Sequence, residues 1–546
     1  MENQPLQEGQ QRKWSVLIVV ILSSFMAILD NTIVNVALPK IMANFGTTVD
    51  QIEWVVTGFM IAFAISMPAT SWLKEVFGLK KVFIASLATF VLGSALCGAA
   101  WGKDSLIAFR VIQAIGGGAM MPTGLTLVSE AFPPYERGTA MGIWSIGMMV
   151  GPAVGPFLGG YLVDEVSWRA IFYVNLPVGA IAILAAQLIL FPSKPLERRR
   201  RFDFIGFISF SVFLAGLLIA LTQGQREGWN SDYILTCFGI SLVGLIPFIV
   251  TGFLREDPII DFRLFAIHNF LMANILHFIR AVAIFGSMFL LPLFLQNLMG
   301  YTALRTGFIL VPTAITIAIV SPLSGIISDR IGAKIPLIVG TALTGFSLFV
   351  YKDLSLNSDP WFLIWPQVIR GAGMGLINAP LMSTALNAIR QEQTSIASGL
   401  LTVNMQVGGA FGIAIIGATL QRREFFHYAH YLEQINNAFL PHVSRVLSGM
   451  QELLLRAGHA PAETVEEGKS LLALWVQKQA SVSAFGDAFI LAGIFITLGI
   501  LPTLFIRTSW FTNPAKSMHL SERRVLMERH LSEEKDTEAS QISLNS

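Results

Sequence analysis

The sequence has little charge and almost no cysteine. Asp, Glu, Lys and Arg make up 13% of its 546 residues, whereas about 25% is usual for a soluble protein. The net charge of +2 is too small to indicate a nucleic-acid-binding protein. The two cysteines, Cys97 and Cys237, both lie within apolar runs and therefore imply neither a disulfide framework nor a metal site.

Several chemical motifs are also missing from the sequence. It contains no Gly-rich phosphate-binding loop that ends in Lys-Ser or Lys-Thr, so ATP is not expected as an energy source. We find no nucleophile–base constellation and no metal-ligand cluster, and we therefore expect neither an enzyme nor a cofactor. The first apolar run is too long for a cleavable signal peptide and lacks a small-residue cleavage site.

Apolar residues are abundant instead. They make up 53% of the chain, and the mean hydropathy is +0.63. This composition predicts an all-α polytopic membrane protein, because backbone polar groups inside a bilayer must be satisfied within helices. About 20 apolar residues suffice to cross the hydrocarbon. We identify fourteen apolar segments, at roughly 14–37, 51–72, 82–101, 105–128, 139–162, 168–191, 203–222, 233–254, 270–297, 305–327, 335–352, 361–387, 397–420 and 485–507.

Basic residues are concentrated in alternate loops, and this asymmetry predicts the orientation. Such loops face the cytoplasm in membrane proteins, so both termini are predicted to be cytoplasmic. The run of arginines at 198–201 adjoins a predicted membrane helix and is interpreted as a topology anchor rather than a nucleic-acid patch. The basic residues of these loops are Arg12, Lys13, Lys74, Lys80, Lys81, Arg137, Lys194, Arg198 to Arg201, Arg255, Arg263, Arg330, Lys334 and Arg390.

An internal repeat divides the chain into two halves. The segment 111–116 resembles 368–373, each with a proline six or seven residues beyond, and the loop 71–81 matches 325–334. Two homologous six-helix halves are typical of transporters, whose binding site lies at their interface near mid-membrane. We therefore expect cytoplasmic termini at 1–13 and 508–546, an N-terminal six-helix bundle at 14–192, two inserted helices at 203–254 and a C-terminal six-helix bundle at 270–507.

One extracytoplasmic loop, at 421–484, is much longer than the others. Apolar residues recur in it at helical spacing, which predicts amphipathic helices. These residues are Phe425, Leu432, Ile435, Phe439, Leu447, Met450 and Leu454. The tail beyond Arg507 is polar and charged, and we expect disorder from about residue 530.

Asp30 lies well inside the first apolar run. An ionised Asp near mid-membrane costs roughly 2.5 to 3.5 kcal/mol on insertion scales, so such residues are rare and usually functional. Asn31 and Asn35 follow on the same predicted helix and indicate a wet interior face. The alternative is a polar residue near a helix end that is held by a hydrogen bond.

The fifth apolar segment carries glycines at a spacing of four, two of them followed by proline. Glycines let helices approach closely, and prolines bend a helix. The residues are Gly147, Gly151-Pro152, Gly155-Pro156 and Gly159-Gly160. This pattern resembles the antiporter signature of the major facilitator superfamily, specifically its fourteen-helix drug:proton antiporter group. The resemblance implies a major facilitator fold of two six-helix bundles plus two inserted helices.

Two copies of a cytoplasmic loop resemble a second motif of that family. The copy at 325–334 fits, with Asp329, Arg330 and Gly332 in place. In the first copy Gly78 is retained but Glu75 replaces the usual Asp. A carboxylate and basic residues on such a turn can pair with neighbouring helix ends and hold one conformation. The alternative is an ordinary positive-inside loop.

The fourth segment contains Arg110 and Gln113, which resemble the family's Arg-x-x-Gln-Gly motif, although Ala114 replaces the glycine. A buried arginine keeps its proton and therefore needs an anion, for which Asp30 is the leading candidate. With Arg110 close, Asp30 stays ionised; in a dry state that separates the two, Asp30 binds a proton. The alternative is a static structural ion pair.

Further polar residues lie in the second half of the chain. His277, Arg280 and Arg370 occur inside predicted membrane helices, and they favour an anionic substrate if they line the cavity. Structural pairing with other polar groups is the alternative. The remaining cavity candidates are Gln296, Asn378, Asn404 and Gln406.

The resemblance also implies a function. It is closest to multidrug exporters of tripartite systems in the bacterial inner membrane, so we expect efflux of amphipathic drugs in exchange for protons, powered by the proton gradient without a cofactor. The long loop is expected to dock a periplasmic adaptor that reaches an outer-membrane channel. Two alternatives are an exporter of an endogenous acidic metabolite, such as a siderophore or fatty acid, and a non-transporting membrane receptor on the same fold.

Overall fold

The computed structural model describes residues 4–191, 201–390, 393–437, 441–456 and 464–507. All regular secondary structure in these ranges is helical, so the all-α prediction is confirmed for them. The predicted disordered tail, most of the arginine run at 198–201 and Phe439 lie outside the described residues.

In the described residues the first half of the chain forms nine α-helices, and the inserted segment forms two more. In the first half α6 packs between α3 and α5, and α1 packs on α7. The two inserted helices, α10 and α11, form an antiparallel pair. The helices are α1 (Gln4–Phe45), α2 (Val49–Ile52), α3 (Trp54–Ser66), α4 (Ala69–Phe77), α5 (Leu79–Gly98), α6 (Lys103–Ala131), α7 (Arg137–Tyr161), α8 (Ala170–Tyr173), α9 (Asn175–Ile189), α10 (Phe204–Glu227) and α11 (Asp232–Leu254).

The second half repeats this arrangement. Here α16 packs on α14 and α15, and α12 packs on α17, which matches the internal repeat in the sequence. The helices are α12 (His268–Met288), α13 (Leu290–Leu293), α14 (Ala303–Ile331), α15 (Lys334–Val350), α16 (Pro360–Asn387), α17 (Thr394–Asn437), α18 (Pro441–Arg456), α19 (Thr464–Leu498) and α20 (Ile500–Phe505).

Local sequence explains where several helices begin and end. The side chains of Asp203, Ser231 and Thr302 accept hydrogen bonds from backbone N–H groups in the first turns of α10, α11 and α14, as helix caps do. Gly78 and Gly332 follow α4 and α14 with φ of 83° and 94°, a region that favours glycine. The two copies of the repeated loop therefore retain a glycine for the same conformational reason.

The number of membrane crossings agrees in part with the prediction. Eleven helices in the described residues are long and apolar enough to cross a membrane, or twelve if α3 and α4, which meet at 52°, form one bent span. The helices α7 and α16 have 25 and 28 residues; α7 packs on α1 and α14, and α16 packs on α14 and α15. Fourteen crossings stay a prediction.

The segment predicted as a loop at 421–484 is largely helical. With 44 and 35 residues, α17 and α19 are about 66 and 52 Å long at 1.5 Å per residue, and they continue beyond the predicted boundaries. Polar contacts between them explain this continuation: Tyr431 bonds Ser483 at 2.8 Å and Arg423 pairs with Asp487 at 2.5 Å. The predicted amphipathic helix around Leu447 is confirmed as α18.

The two halves meet where α7 crosses α14. A Cβ added to Gly142 would lie 2.8 Å from Cα of Pro322, and one added to Gly325 would lie 2.8 Å from Cα of Thr139. Backbones therefore touch here without intervening side chains. This crossing lies at the end of the molecule that carries Arg137 and Arg330, which we call the basic end.

We expect Gly142→Ala to weaken the contact between the halves, because the added methyl group meets backbone atoms of α14. Overpacking of this kind costs about 1 to 3 kcal/mol. The midpoint of thermal unfolding in detergent and the spin-label distance between the basic ends of α7 and α14 measure the effect.

Gly160→Ala on the same helix is the matched control, because a Cβ there meets no atom within 4 Å. Equal unfolding midpoints and equal label distances in the two variants would contradict the close approach.

Candidate functional site

The candidate site is built around a carboxylate that is closed off from solvent. Asp30 on α1 has no exposed surface. Its Oδ2 accepts a hydrogen bond from Arg110 Nη1 at 2.5 Å, and its Oδ1 accepts from Gln113 Nε2 at 2.9 Å and from Asn175 Nδ2 at 2.8 Å. Three donors from two other helices thus hold one buried acid, and the predicted pairing of Asp30 with Arg110 is confirmed as a contact.

Arg110 is buried and is held by several partners besides Asp30. The side chain is fully buried, and Nη1 also donates to Gln113 Oε1 at 2.8 Å. Its Nε donates to the carbonyl of Val55 at 3.4 Å, and the guanidinium lies 3.9 Å from the ring centroid of Phe59. A buried ion pair is retained only where such additional partners offset the loss of hydration.

Asn175 is a site residue that the sequence analysis did not single out. It is the first residue of α9, and its Nδ2 also lies 3.0 Å from Ser94 Oγ, which in turn donates to the carbonyl of Phe172 at 2.8 Å. These bonds connect α5 and α9 to the carboxylate. The available signal was one asparagine in the otherwise apolar stretch after Tyr173.

The glycine stripe of α7 packs against the turn of α1 that carries Asp30. A Cβ on Gly151 would lie 2.9 Å from Ile28 Cγ2, and one on Gly159 would lie 2.8 Å from Ile33 Cγ1. A Cβ on Gly155 would overlap Thr32 Oγ1. The glycines therefore determine how closely α1 packs against α7. The side chains of Pro152 and Pro156 lie outside the described part of the structure.

Asn31 and Asn35 do not share the face of Asp30. Both are exposed, and Asn35 donates to the backbone carbonyl of Asn31 at 3.3 Å. They lie about 100° and 140° around the helix from Asp30, and whether they form a wet interior face stays a prediction. Their role in contacting substrate stays a prediction.

The predicted cations of the second half form two contacts between α12 and α16. Arg280 Nη1 donates to Asn378 Oδ1 at 2.5 Å, and Arg280 Nη2 lies 3.3 Å from His277 Nδ1. Arg370 Nη2 donates to Ser287 Oγ at 3.0 Å. Within the ranges that the structure describes, neither arginine has a carboxylate oxygen within 4.0 Å.

The remaining cavity candidates lie elsewhere. Asn404 on α17 donates to the backbone carbonyl of Asn274 at 2.8 Å and so fixes α17 to α12. Gln406 is half-buried and Gln296 is exposed. The structure does not bring these three into the clusters of Asp30 or Arg280.

A third group of residues joins the halves at the basic end. Asp329 on α14 accepts hydrogen bonds from the backbone N–H groups of Gly138 and Thr139 at 3.0 and 2.9 Å and from Thr139 Oγ1 at 2.8 Å. These groups are the N-terminus of α7, where a carboxylate is favoured by unpaired N–H groups and the helix dipole. Arg137 Nη1 adds a bond to Asn387 Oδ1 at 2.9 Å.

The first copy of this motif lies differently. Glu75 is buried on α4, which packs against α17, whereas its counterpart Asp329 is half-buried and binds the N-terminus of α7. Arg330, which has no basic counterpart in the first copy, is exposed. The conformational roles predicted for Glu75, Arg330 and the glycine stripe stay predictions.

Comparison with known proteins agrees with this architecture. The sequence matches the Major Facilitator Superfamily over residues 20–413. The chain belongs to the major facilitator superfamily. It is 30% identical over 524 residues to "Multidrug export protein EmrB" of Escherichia coli (strain K12), covering 94% of this chain and 98% of that protein. The predicted family and fold are therefore confirmed, and the chain is a multi-pass membrane transporter related to multidrug exporters.

Two further similarities extend the comparison. The chain is 29% identical over 510 residues to "Fatty acid resistance protein FarB" of Neisseria gonorrhoeae, covering 93% of this chain and 98% of that one. The crystal structure of the human organic anion transporter MFSD10 (TETRAN) superposes with a TM-score of 0.57 and 14% identity, covering 89% of this chain and 99% of that chain. At that identity the structural likeness shows the fold alone.

We expect Asn175→Leu to destabilise the protein by about 1 to 3 kcal/mol, because it removes a donor from a buried charge and leaves polar atoms unpaired. The thermal unfolding midpoint of the purified protein measures this loss. Asn35→Leu on α1 is the matched control, since that side chain is exposed and bonds only its own helix. A midpoint for Asn175→Leu equal to that of the control would contradict the assigned network.

Proposed function

We propose that the protein exports amphipathic small molecules in exchange for protons and that Asp30 is the proton carrier. The observation that supports this proposal is a fully buried carboxylate paired with an arginine that cannot lose its proton. The relative EmrB is a "Multidrug export protein", which supports export as the direction and drugs as the cargo.

The coupling follows from the partners of the acid. In the conformation described, Arg110 and two neutral donors stabilise the ionised carboxylate. A movement of α6 relative to α1 separates the pair, because Arg110 and Gln113 are both on α6. An ionised acid left without its cation in an apolar interior is costly, so Asp30 takes up a proton and gives it back when the pair forms again.

The arrangement of the halves supports an order of steps. The basic end, which we place in the cytoplasm, is closed by two contacts. Asp329 accepts hydrogen bonds at the N-terminus of α7, and Arg137 donates one to Asn387. The next opening is then toward the outside, where substrate leaves and a proton enters. One charge crossing a potential of about 150 mV supplies about 3.5 kcal/mol, roughly a 300-fold concentration ratio, so one proton per cycle suffices.

We further propose that the protein lies in a bacterial inner membrane, with both termini in the cytoplasm, and docks a periplasmic adaptor that leads to an outer-membrane channel. The supporting feature is the helical projection formed by α18 and the outer ends of α17 and α19. This projection exposes large apolar side chains, which mark interaction surfaces when they cluster. They are Leu453, Leu455, Leu471, Leu474 and Trp475.

Asp30→Asn tests the proton coupling. We expect purified protein in proteoliposomes to lose substrate-induced proton movement, with uphill accumulation reduced by about tenfold or more, because the amide cannot exchange a proton at this site. A pH-sensitive dye and a labelled substrate measure the two fluxes.

Asp104→Asn, an exposed acid in the first turn of α6, is the control and should retain both fluxes. A non-transporting receptor would tolerate Asp30→Asn, and so would a carrier that uses a different acid. Undiminished proton movement in Asp30→Asn would therefore refute the proposed role.

Replacement of residues 436–478 by a short Gly-Ser turn tests the adaptor. The pair of Tyr431 with Ser483 is kept, so the helices should still close on each other. We expect transport in proteoliposomes to survive, whereas resistance of whole cells with two membranes is lost. Unchanged whole-cell resistance would argue against adaptor docking on the projection.

A further inference from the structure

The two halves differ in how their buried cations are neutralised. In the first half Arg110 has its own carboxylate, Asp30, at 2.5 Å. In the second half Arg280 and Arg370 are 93% and 94% buried, and their described partners are a histidine, an asparagine amide and a serine hydroxyl. None of these partners is an anion, so neither buried guanidinium has a carboxylate oxygen within 4.0 Å among the described residues.

The internal repeat makes the difference specific. Position 113 in the first half corresponds to position 370 in the second. Gln113 helps to bind the protein's own carboxylate. At the corresponding position the second half places Arg370, a cation, next to Ser287. The first half thus provides a carboxylate, whereas the second half provides a cation that could bind a carboxylate.

Unused hydrogen-bond donors point in the same direction. Nε of Arg280 and Nε of Arg370 are both buried and have no acceptor in the described part of the chain, as is also true of Nη2 of Arg110, whose guanidinium already binds a carboxylate. A guanidinium carries five N–H donors in a planar fork that fits a carboxylate. An anionic oxygen beside either arginine would satisfy a free donor and neutralise one of the two charges.

The space between the two arginines is apolar. Arg280 and Ser287 are seven residues apart on one face of α12, so the two contacts to α16 lie at levels about 10 Å apart. Ile284 on α12, Met374 on α16 and Ile317 on α14 form a separate hydrophobic cluster, and the first two fall between these levels in sequence. The interface therefore alternates cation, apolar surface and cation.

The side chains of the α12–α16 interface are also more exposed to solvent than the pair of Asp30 and Arg110. Arg280, Arg370, Ile284 and Met374 retain 6 to 8% of their surface, whereas Asp30 and Arg110 retain none. Solvent therefore reaches a small part of each of these four side chains.

We propose that the interface of α12 and α16 binds an amphipathic organic anion, with the carboxylate at one of the two arginines, Arg280 or Arg370, and the apolar body against Ile284 and Met374. The inference rests on the proposed export function and names its substrate class. The occupant is recognised by one anionic group attached to an apolar skeleton, and the neutral or cationic analogue lacks the group that the arginine binds.

The test uses three labelled compounds with one skeleton: para-butylbenzoate, para-butylbenzamide and para-butylbenzylamine. Their equilibrium binding to the purified full-length protein in nanodiscs is measured at neutral pH. We expect the benzoate to bind at least about tenfold more tightly than the benzamide, as truncating one partner of a buried charge pair typically does. Arg280→Gln or Arg370→Gln should remove most of this preference while leaving the benzamide affinity unchanged, and the variant that does so identifies the arginine that binds the carboxylate.

Arg305→Gln is the matched control, because that arginine is exposed in the same half and stacks on Tyr301; it should keep the preference. Arg280→Lys and Arg370→Lys retain the positive charge and should recover part of the preference for the benzoate. If the glutamine variants fail to fold, the comparison of benzoate with benzamide binding by the wild-type protein still tests the proposal.

Equal wild-type affinities for benzoate and benzamide would overturn the proposal. So would glutamine variants that weaken all three compounds equally, because that pattern indicates a structural role. Failure of the proposed function is a separate result: a benzoate preference in binding without substrate-induced proton movement would retain the anion-binding interface and refute proton-coupled export.

Discussion

The structure depends on one buried ion pair, between Asp30 and Arg110. Neither residue is stable in an apolar interior alone, and together they require the donors of Gln113 and Asn175 and the carbonyl of Val55. The pair therefore fixes the positions of α1, α3, α6 and α9 around it. A movement that separates α1 from α6 takes the acid away from its cation, and this physical link is the basis of the proposed coupling.

Helix α7 connects this pair to the contact between the halves. Gly151 and Gly159 pack against the turns of α1 on either side of Asp30, whereas Gly138 and Gly142, nearer the start of the same helix, touch α14. The N-terminus of α7 also receives Asp329. A single helix thus contacts the carboxylate's helix along its length and the opposite half at its end, so a change in one contact is transmitted to the other.

Much of the fold and part of the site could be predicted from the sequence. Apolar runs predicted the helices, and a buried arginine with one intramembrane acid predicted their pairing. The direction of individual side chains was harder to predict. Asn31 and Asn35 follow Asp30 in the sequence but point to other sides of the helix. Asn175 gave no motif of its own, because a single amide acquires its role only when α5 and α9 bring it to Asp30. The boundaries of the segment 421–484 were wrong as helix ends, since polar pairs such as Arg423 with Asp487 continue the helices past the apolar runs.

The most direct measurement of the central claim is the protonation of Asp30 itself during transport. Difference infrared spectroscopy on the protein in lipid, with carboxyl bands assigned by the Asp30→Asn variant, follows this group while substrate is added. Our account predicts that a protonated Asp30 carboxyl band appears in one transport conformation and disappears when the pair with Arg110 forms again. An Asp30 that stays ionised throughout while substrate still accumulates against its gradient would contradict the account.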